Sequence, residues 1–137
     1  MTYEEKKAWL WRYRTAKRFE MLRLDELTTL EAEAMHTTQR YSATPGGGGD
    51  GQTLPRAVER IEEARQAYNA QCVESERIRK EIIFALQQLD DETDFTILYR
   101  RYICGHKWEQ IADRLHLDVS WVIRRHRCML RRFRPVL

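Results

Sequence analysis

Six arginines lie between residues 123 and 134, in a segment that contains no carboxylate side chain. A guanidinium group donates hydrogen bonds in a planar fork that matches phosphate oxygens and the major-groove edge of guanine. A basic segment of this kind, at the end of a compact helical unit, is typical of nucleic-acid binding. The alternative is a solvated surface, and the missing acidic side chains make that alternative the weaker one.

The positive charge is confined to one end of the chain. Residues 95–137 contain 10 Lys and Arg and 3 Asp and Glu, whereas residues 1–94 contain 14 and 18. The net charge of the 137-residue chain is nevertheless only +3. This asymmetry indicates an acidic helical part and a basic binding part.

The residues just before the arginines have the spacing of a helix-turn-helix. A short helix is predicted over 108–115, where the small Ala112 suits a close crossing of two helices. The turn follows at His116, and Asp118 is a good N-cap for the last helix because its side chain can accept from backbone N–H groups of the first turn. His126 is predicted to be a partly buried, hydrogen-bonded histidine and not a catalytic base.

In a helix-turn-helix, the outward positions at the start of the second helix lie against base edges in the major groove. The residues predicted to read bases are Val119, Ser120, Ile123, Arg124 and Arg127. Other basic residues would contact phosphates and set affinity more than sequence preference. They are Lys107, Arg100, Arg101, Arg125, Arg131, Arg132 and Arg134.

The rest of the chain must position this unit. A first long helix is predicted over about 3–38, with a wide aromatic start that implies contact with more than one surface. A second is predicted from Pro55 to about residue 89, with apolar positions at heptad spacing from Val58 onwards. A third, over about 94–104, would end at Gly105. The predicted fold is all-α: a long antiparallel helical hairpin, coiled-coil-like, followed by a three-helix helix-turn-helix domain.

The predicted boundary between these parts lies at residue 90. Residues 1–90 would form the hairpin, used for oligomerisation or partner binding, with a flexible Gly-rich loop over 42–53. Residues 91–137 would form the DNA-binding domain. A lone two-helix hairpin buries little surface, so self-association is favoured over packing on its own C-terminal domain alone.

Other classes of site and location have little support in the sequence. There is no carboxylate pair, nucleophile–base set or ligand cluster at suitable spacing, so we expect no catalytic residues, no metal and no cofactor. Cys72, Cys104 and Cys128 form no close pair, and Cys104 is expected to be a buried small residue. The N-terminus lacks an apolar run, and no stretch is long enough to span a membrane. These features predict a cytoplasmic protein with reduced thiols.

Residues 95–133 resemble region four of bacterial sigma-70-type factors, the part that reads promoter DNA. The shared pattern is the pair Arg101-Tyr102, a glycine, Trp-Glu-x-Ile-Ala-x-x-Leu, then a cap and x-Ser-x-Val. The cap is Asp118 where the family has Ser, and His116 stands where Gly is usual. The layout of the whole chain is similar to small phage and prophage regulators of the RinA/ArpU type. There is no equivalent of the region that melts promoter DNA.

The resemblance implies a sequence-specific double-stranded DNA-binding transcription regulator of phage or prophage origin. It further implies an activator that works with RNA polymerase in the cytoplasm of a bacterial host, and the long helices suggest a homodimer. One alternative is a small terminase subunit, which also joins a helix-turn-helix to oligomerising helices. A second alternative is an interaction module that holds polymerase without reading DNA.

Overall fold

The computed structural model describes residues 1–43 and 53–135, with side chains described for 1–36 and 54–135. Within those ranges the chain is helical and has no strand, which confirms the predicted all-α class. The predicted loop at 42–53 lies outside the described residues between 44 and 52. The helices are α1 (Tyr3–Ala43), α2 (Thr53–Leu86), α3 (Glu92–Leu98), which continues into a π-helical turn (Tyr99–Ile103), α4 (Trp108–Leu115) and α5 (Val119–Arg132).

The chain divides into two compact units, and the division does not fall at residue 90. The first unit comprises Met1–Ala16 and Ser75–Leu137, and the second comprises Lys17–Glu74. The predicted boundary is therefore wrong. The start of α1 and the end of α2 belong with the C-terminal helices because they supply a large share of one common hydrophobic core, including Leu10, Ile82 and Leu86.

The first turns of α1 support the end of α5. The Lys6 ammonium group donates to the backbone carbonyls of Leu130, at 2.8 Å, and Arg131, at 3.1 Å. The last carbonyls of a helix have no partner within the helix and form the negative end of its dipole, so a lysine there is stabilising. The Trp9 ring lies 6.0 Å from that of Phe133, just beyond the end of α5. This contact fixes where α5 ends.

Within the first unit, α1 and α2 run antiparallel. The Arg12 guanidinium group is 2.8 Å from a carboxylate oxygen of Glu81. The hydrogen bond from Arg12 lowers the pKa of Glu81. The predicted apolar stripe of α2 is confirmed at its C-terminal end, where Ile82 and Leu86 are fully buried. It is wrong at Val58, whose side chain is 57% exposed.

The second unit consists of the remaining lengths of α1 and α2. Glu31 and Arg65 approach to 3.5 Å and connect the two helices. Among the side chains described in this unit, the buried hydrophobic residues are Leu27 and Ala64. Eight large hydrophobic side chains are exposed here: Phe19, Met21, Leu22, Leu24, Met35, Leu54, Val58 and Val73. Among its described side chains, the unit has almost no apolar core of its own.

The third helix begins earlier than predicted and ends in a wide turn. The Asp91 carboxylate caps it by accepting from the backbone N–H groups of Thr93 and Asp94. At its other end, the N–H of Cys104 donates to the carbonyl of Tyr99, a π-helical bond of 3.2 Å. Gly105 follows with φ of 74°, as predicted for a helix end. Cys104 is exposed at this end, so the prediction that it is buried is wrong.

The π-helical turn changes which residues face the core. In a regular α-helix, residues four positions after Ile97 and Leu98 would lie on the same face. Here Tyr102 and Ile103, five positions later, are the buried pair. The extra residue of the π turn leaves Arg101 at the edge of the core.

None of the helices in the described parts of the chain combines the length and apolar character needed to cross a bilayer.

Candidate nucleic-acid interface

The turn between α4 and α5 is built by a left-handed residue and a cap. His116 has φ of 56° and ψ of 42°, which lies in the left-handed region that favours glycine. The N–H of Leu117 then donates to the carbonyl of Ala112 at 2.9 Å, which closes α4. The Asp118 carboxylate accepts from the N–H of Ser120 at 3.2 Å, which confirms the predicted cap. The described geometry matches the predicted helix-turn-helix order.

The inward face of α5 follows the spacing predicted for it. Val122, Met129 and Leu130 are buried, and Phe133 is buried just past the helix end. Ala112 of α4 is 4% exposed, as expected for a small residue where two helices pack closely. One face of α5 is thus committed to the core, which leaves the opposite face for partners.

His126 is the polar member of this inward face. It is 2% exposed, and its Nε2 atom lies 2.7 Å from the Tyr102 hydroxyl. Its ring centroid is 4.6 Å from that of Trp108. Burial, with added repulsion from Arg101, lowers the pKa of His126 to about 4. The hydrogen bond was predicted, but the side chain is more deeply buried than predicted, and the neutral ring is a structural element of the core.

The residues predicted to read bases divide into two groups. Ser120, Arg124 and Arg127 are exposed on the outward face of α5. Val119 and Ile123 are half-buried, and Val119 packs against the hydrophobic core. The structure therefore exposes three of the five side chains and leaves the other two half-buried.

Four of the residues predicted to contact phosphates are exposed: Lys107, Arg131, Arg132 and Arg134. None of these four pairs with an acidic side chain in the part of the chain that the structure describes. The same holds for Arg124 and Arg127. Six cationic groups without acidic partners therefore lie on α5, in the residues just after it and at the start of α4.

Arg125 is a correction to the predicted phosphate-binding set. Its Nε atom lies 2.7 Å from one carboxylate oxygen of Asp94, and its Nη2 atom lies 2.6 Å from the other. Because the Nε and Nη2 edge of the guanidinium donates to both carboxylate oxygens, this side chain joins α5 to α3. No local feature of the sequence marks this internal role, because Asp94 lies 31 positions away.

Arg101 is the second correction. Its guanidinium carbon lies 4.4 Å from the centre of the Trp108 ring and 5.6 Å from that of Trp11. It also donates to the backbone carbonyl of His106 at 3.1 Å. This stacked position between two indoles makes it a structural residue and not a free phosphate ligand. Arg100 is half-buried, and its Nε atom has no hydrogen-bond partner among the described residues.

Protein-family models, curated proteins and solved structures give no match to this chain. Its surface has to be interpreted from geometry and charge. The described residues hold no group of three His, Cys, Asp or Glu side chains placed to bind a metal ion. What the surface offers is a row of guanidinium groups on a rigid helix, and such groups recognise phosphates and guanine edges.

Residues of α1 also border this surface, and they were not among the predicted site residues. Tyr3, Lys7 and Trp11 line a cleft together with Ile123 and Arg127 of α5. The sequence signal was the wide aromatic start of α1, which indicated contact with more than one surface but not which one. The pairing of α1 with α5 spans more than a hundred residues along the chain, so local spacing does not reveal it.

Proposed function

We propose that this protein is a sequence-specific double-stranded DNA-binding transcription regulator. The observation that carries the proposal is the outward face of α5, where Ser120, Arg124 and Arg127 are exposed just after a capped turn. A helix held in this way can enter the major groove with its first turns against base edges. Arg131, Arg132 and Arg134 would neutralise phosphates at its other end.

The contacts that Arg125 and Arg101 make within the protein support the same proposal. Arg125 and Arg101 are occupied by Asp94 and by the two indoles, so they hold α5 and the π-helical turn in place. A base-reading side chain discriminates well only when the helix that carries it is rigid. The described contacts thus separate positioning residues from candidate contact residues.

We further propose that the protein acts as a homodimer through the second unit. The support is that, among the side chains described in that unit, only Leu27 and Ala64 are buried hydrophobic residues and eight large hydrophobic side chains are exposed. Two helices alone rarely bury enough apolar surface for stability, and a second copy would supply the missing surface. A dimer would also present two reading helices to two half-sites.

The resemblance to sigma region four and to phage and prophage regulators supports the rest of the proposal. On that basis the protein would activate transcription together with RNA polymerase, in the cytoplasm of a bacterial host. The resemblance lies in the α4–α5 segment and in the Arg101-Tyr102 pair.

The test is selection of bound sequences from a random pool of double-stranded DNA, with the purified full-length protein at near-physiological salt. An enriched sequence is the expected result, and its symmetry and half-site spacing would report the dimer geometry. Binding without enrichment, with an affinity that falls steeply as salt rises, would reduce the interaction to phosphate contact and contradict the proposal.

A further inference from the structure

A cleft lies between the first turns of α1 and the middle of α5. Its volume is about 470 Å³. Cavities that bind small ligands commonly measure roughly 300–1,000 Å³ and combine an apolar wall with a few polar groups. This cleft has both elements, and they come from four segments of the first unit. The side chains that matter most here are Tyr3, Lys7, Trp11, Arg101, Trp108 and Arg127.

The wall of the cleft suits a flat aromatic group. The Arg101 guanidinium is 4.4 Å from the centre of the Trp108 ring, and Trp11 packs edge-on against Tyr102 with 6.0 Å between ring centres. Nucleobases stack on aromatic side chains. The Arg101 guanidinium lies over both Trp108 and Trp11 and holds these rings in place, so the cleft offers a base the aromatic rings of its lining, including Tyr3 and Trp11.

The charged side chains of the cleft suit an anion. Lys7 and Arg127 line it together with a single carboxylate, Glu4, while Arg101 is held by the two indoles. Glu4 is 78% exposed and lies 3.8 Å from Lys7, so solvent screens that pair. Arg127 has no acidic partner among the described residues. The buried His126 adds no charge at neutral pH.

We propose that this cleft binds a nucleotide unit, with its base against the aromatic rings of Tyr3 and Trp11 and its phosphate between Lys7 and Arg127. A planar ring joined to a phosphate is the ligand class that satisfies the aromatic rings and the cations together. The unit is either a free mononucleotide or an unpaired nucleotide of a bound nucleic acid. The proposal goes beyond the reading of duplex DNA and does not depend on it.

A ligand in the cleft would change which α5 side chains can contact DNA. Ile123 and Arg127 line the cleft and also belong to the proposed base-reading face. A phosphate held by Arg127 would compete with its contact to a base edge. Adenosine 5′-monophosphate is therefore expected to weaken the binding of fully paired duplex.

The first experiment is calorimetric titration of the full-length protein with adenosine 5′-monophosphate, with adenosine and with ribose 5-phosphate. Saturable binding of the monophosphate, tighter than that of either half, is the expected result. Lys7→Gln should weaken binding of the monophosphate about tenfold and leave binding of adenosine unchanged. Lys80→Gln removes an exposed charge from α2, away from the cleft, and should change neither.

A second arm separates the two sources of the nucleotide. It compares a fully paired duplex with the same duplex carrying one unpaired nucleotide. If only the unpaired nucleotide gives a Lys7-dependent gain in affinity, the occupant comes from nucleic acid; if the free monophosphate binds, it is a small ligand. The proposal would be overturned if neither ligand bound in this way, or if the Lys7→Gln variant bound the monophosphate as tightly as the wild type. Enrichment of a duplex DNA sequence by the protein does not depend on this result, so the two proposals can fail independently.

Discussion

Arg125 of α5 and Asp94 of α3 form a two-point ion pair, with nitrogen-to-oxygen distances of 2.7 and 2.6 Å. Asp94 keeps 11% of its side chain exposed and Arg125 keeps 35%. The carboxylate accepts both arms of the guanidinium fork, so the pair fixes the rotation of α5 as well as its distance from α3. This fixation determines which side chains α5 turns outward.

Breaking this pair should cost stability and leave phosphate contacts intact. Asp94→Asn is expected to lower the free energy of unfolding by about 2–3 kcal/mol, because Arg125 loses its charged partner. Urea denaturation would measure the change. Asp113→Asn, at an exposed position of α4, is the matched control and should change stability by less than about 0.5 kcal/mol. The salt dependence of DNA binding should stay the same in Arg125→Gln. If it fell as much as in Arg131→Ala, the structural role of Arg125 would be contradicted.

Substitutions along α5 should separate sequence reading from charge. Arg124→Ala and Arg127→Ala are each expected to cost about 1–3 kcal/mol at the selected site and to relax base preference there. Arg131→Ala should weaken binding to all sequences about equally and reduce the salt slope by about one. Competition binding with the selected site and a scrambled duplex would measure both effects. Unchanged sequence preference in the Arg124 and Arg127 variants would mean that another face reads the bases.

The stability of the fold should depend on pH through His126. Its pKa in the folded protein is about 4, below its ordinary value of 6.5. The unfolded chain therefore binds more protons between these values, and stability is lost as the pH falls through this window. The expected loss between pH 7 and pH 5 is about 2 kcal/mol. The difference between wild type and His126→Phe, measured by urea denaturation at both pH values, isolates this histidine. An equal loss in both proteins would assign the pH dependence to other groups.

The left-handed turn residue offers a stabilising substitution. His116 has φ of 56°, a conformation that costs energy for residues with a Cβ. His116→Gly should raise the free energy of unfolding by about 0.5–1 kcal/mol, after allowance for the greater freedom of glycine in the unfolded chain. His116→Val should lower it, because a β-branched residue tolerates this conformation poorly. Thermal denaturation of the two variants should show opposite shifts of Tm.

Self-association should depend on the exposed apolar side chains of α1. Phe19 is 50% exposed in the second unit, and Phe19→Glu is expected to shift the protein towards monomer. Thr28→Glu is the control, because residue 28 lies nine positions later, on the opposite side of the same helix. Sedimentation equilibrium over a range of concentrations would measure both. A monomeric wild type, or equal effects of the two substitutions, would argue against dimerisation through this face.

Much of the C-terminal fold could be predicted from short-range patterns. The bounds of α4, the cap at Asp118 and the helix end at Gly105 are confirmed because each depends on neighbouring residues. Local rules of capping and turn chemistry were sufficient there.

The predictions that were wrong depend on contacts between distant residues. Arg125 and Asp94 lie 31 positions apart, and an arginine in a basic segment gives no local sign of an acidic partner. Arg101 leaves the phosphate set because its guanidinium lies over Trp108 and Trp11, and Trp11 is 90 positions away along the chain. The boundary at residue 90 was wrong because core packing joins both ends of the chain.

The ammonium group of Lys6 on the last carbonyls of α5 implies that residues 91–137 are not a transplantable module. A segment cut at residue 91 would carry the outward arginines of α5 but would lose the Lys6 contact at the end of α5 and seven of the seventeen buried core residues. If only the C-terminal segments of related chains were exchanged, by recombination or by design, the arginines would be moved without the residues that position α5. A workable exchange has to carry residues 1–16 and 75–90 as well, so the two ends of the chain have to be exchanged together.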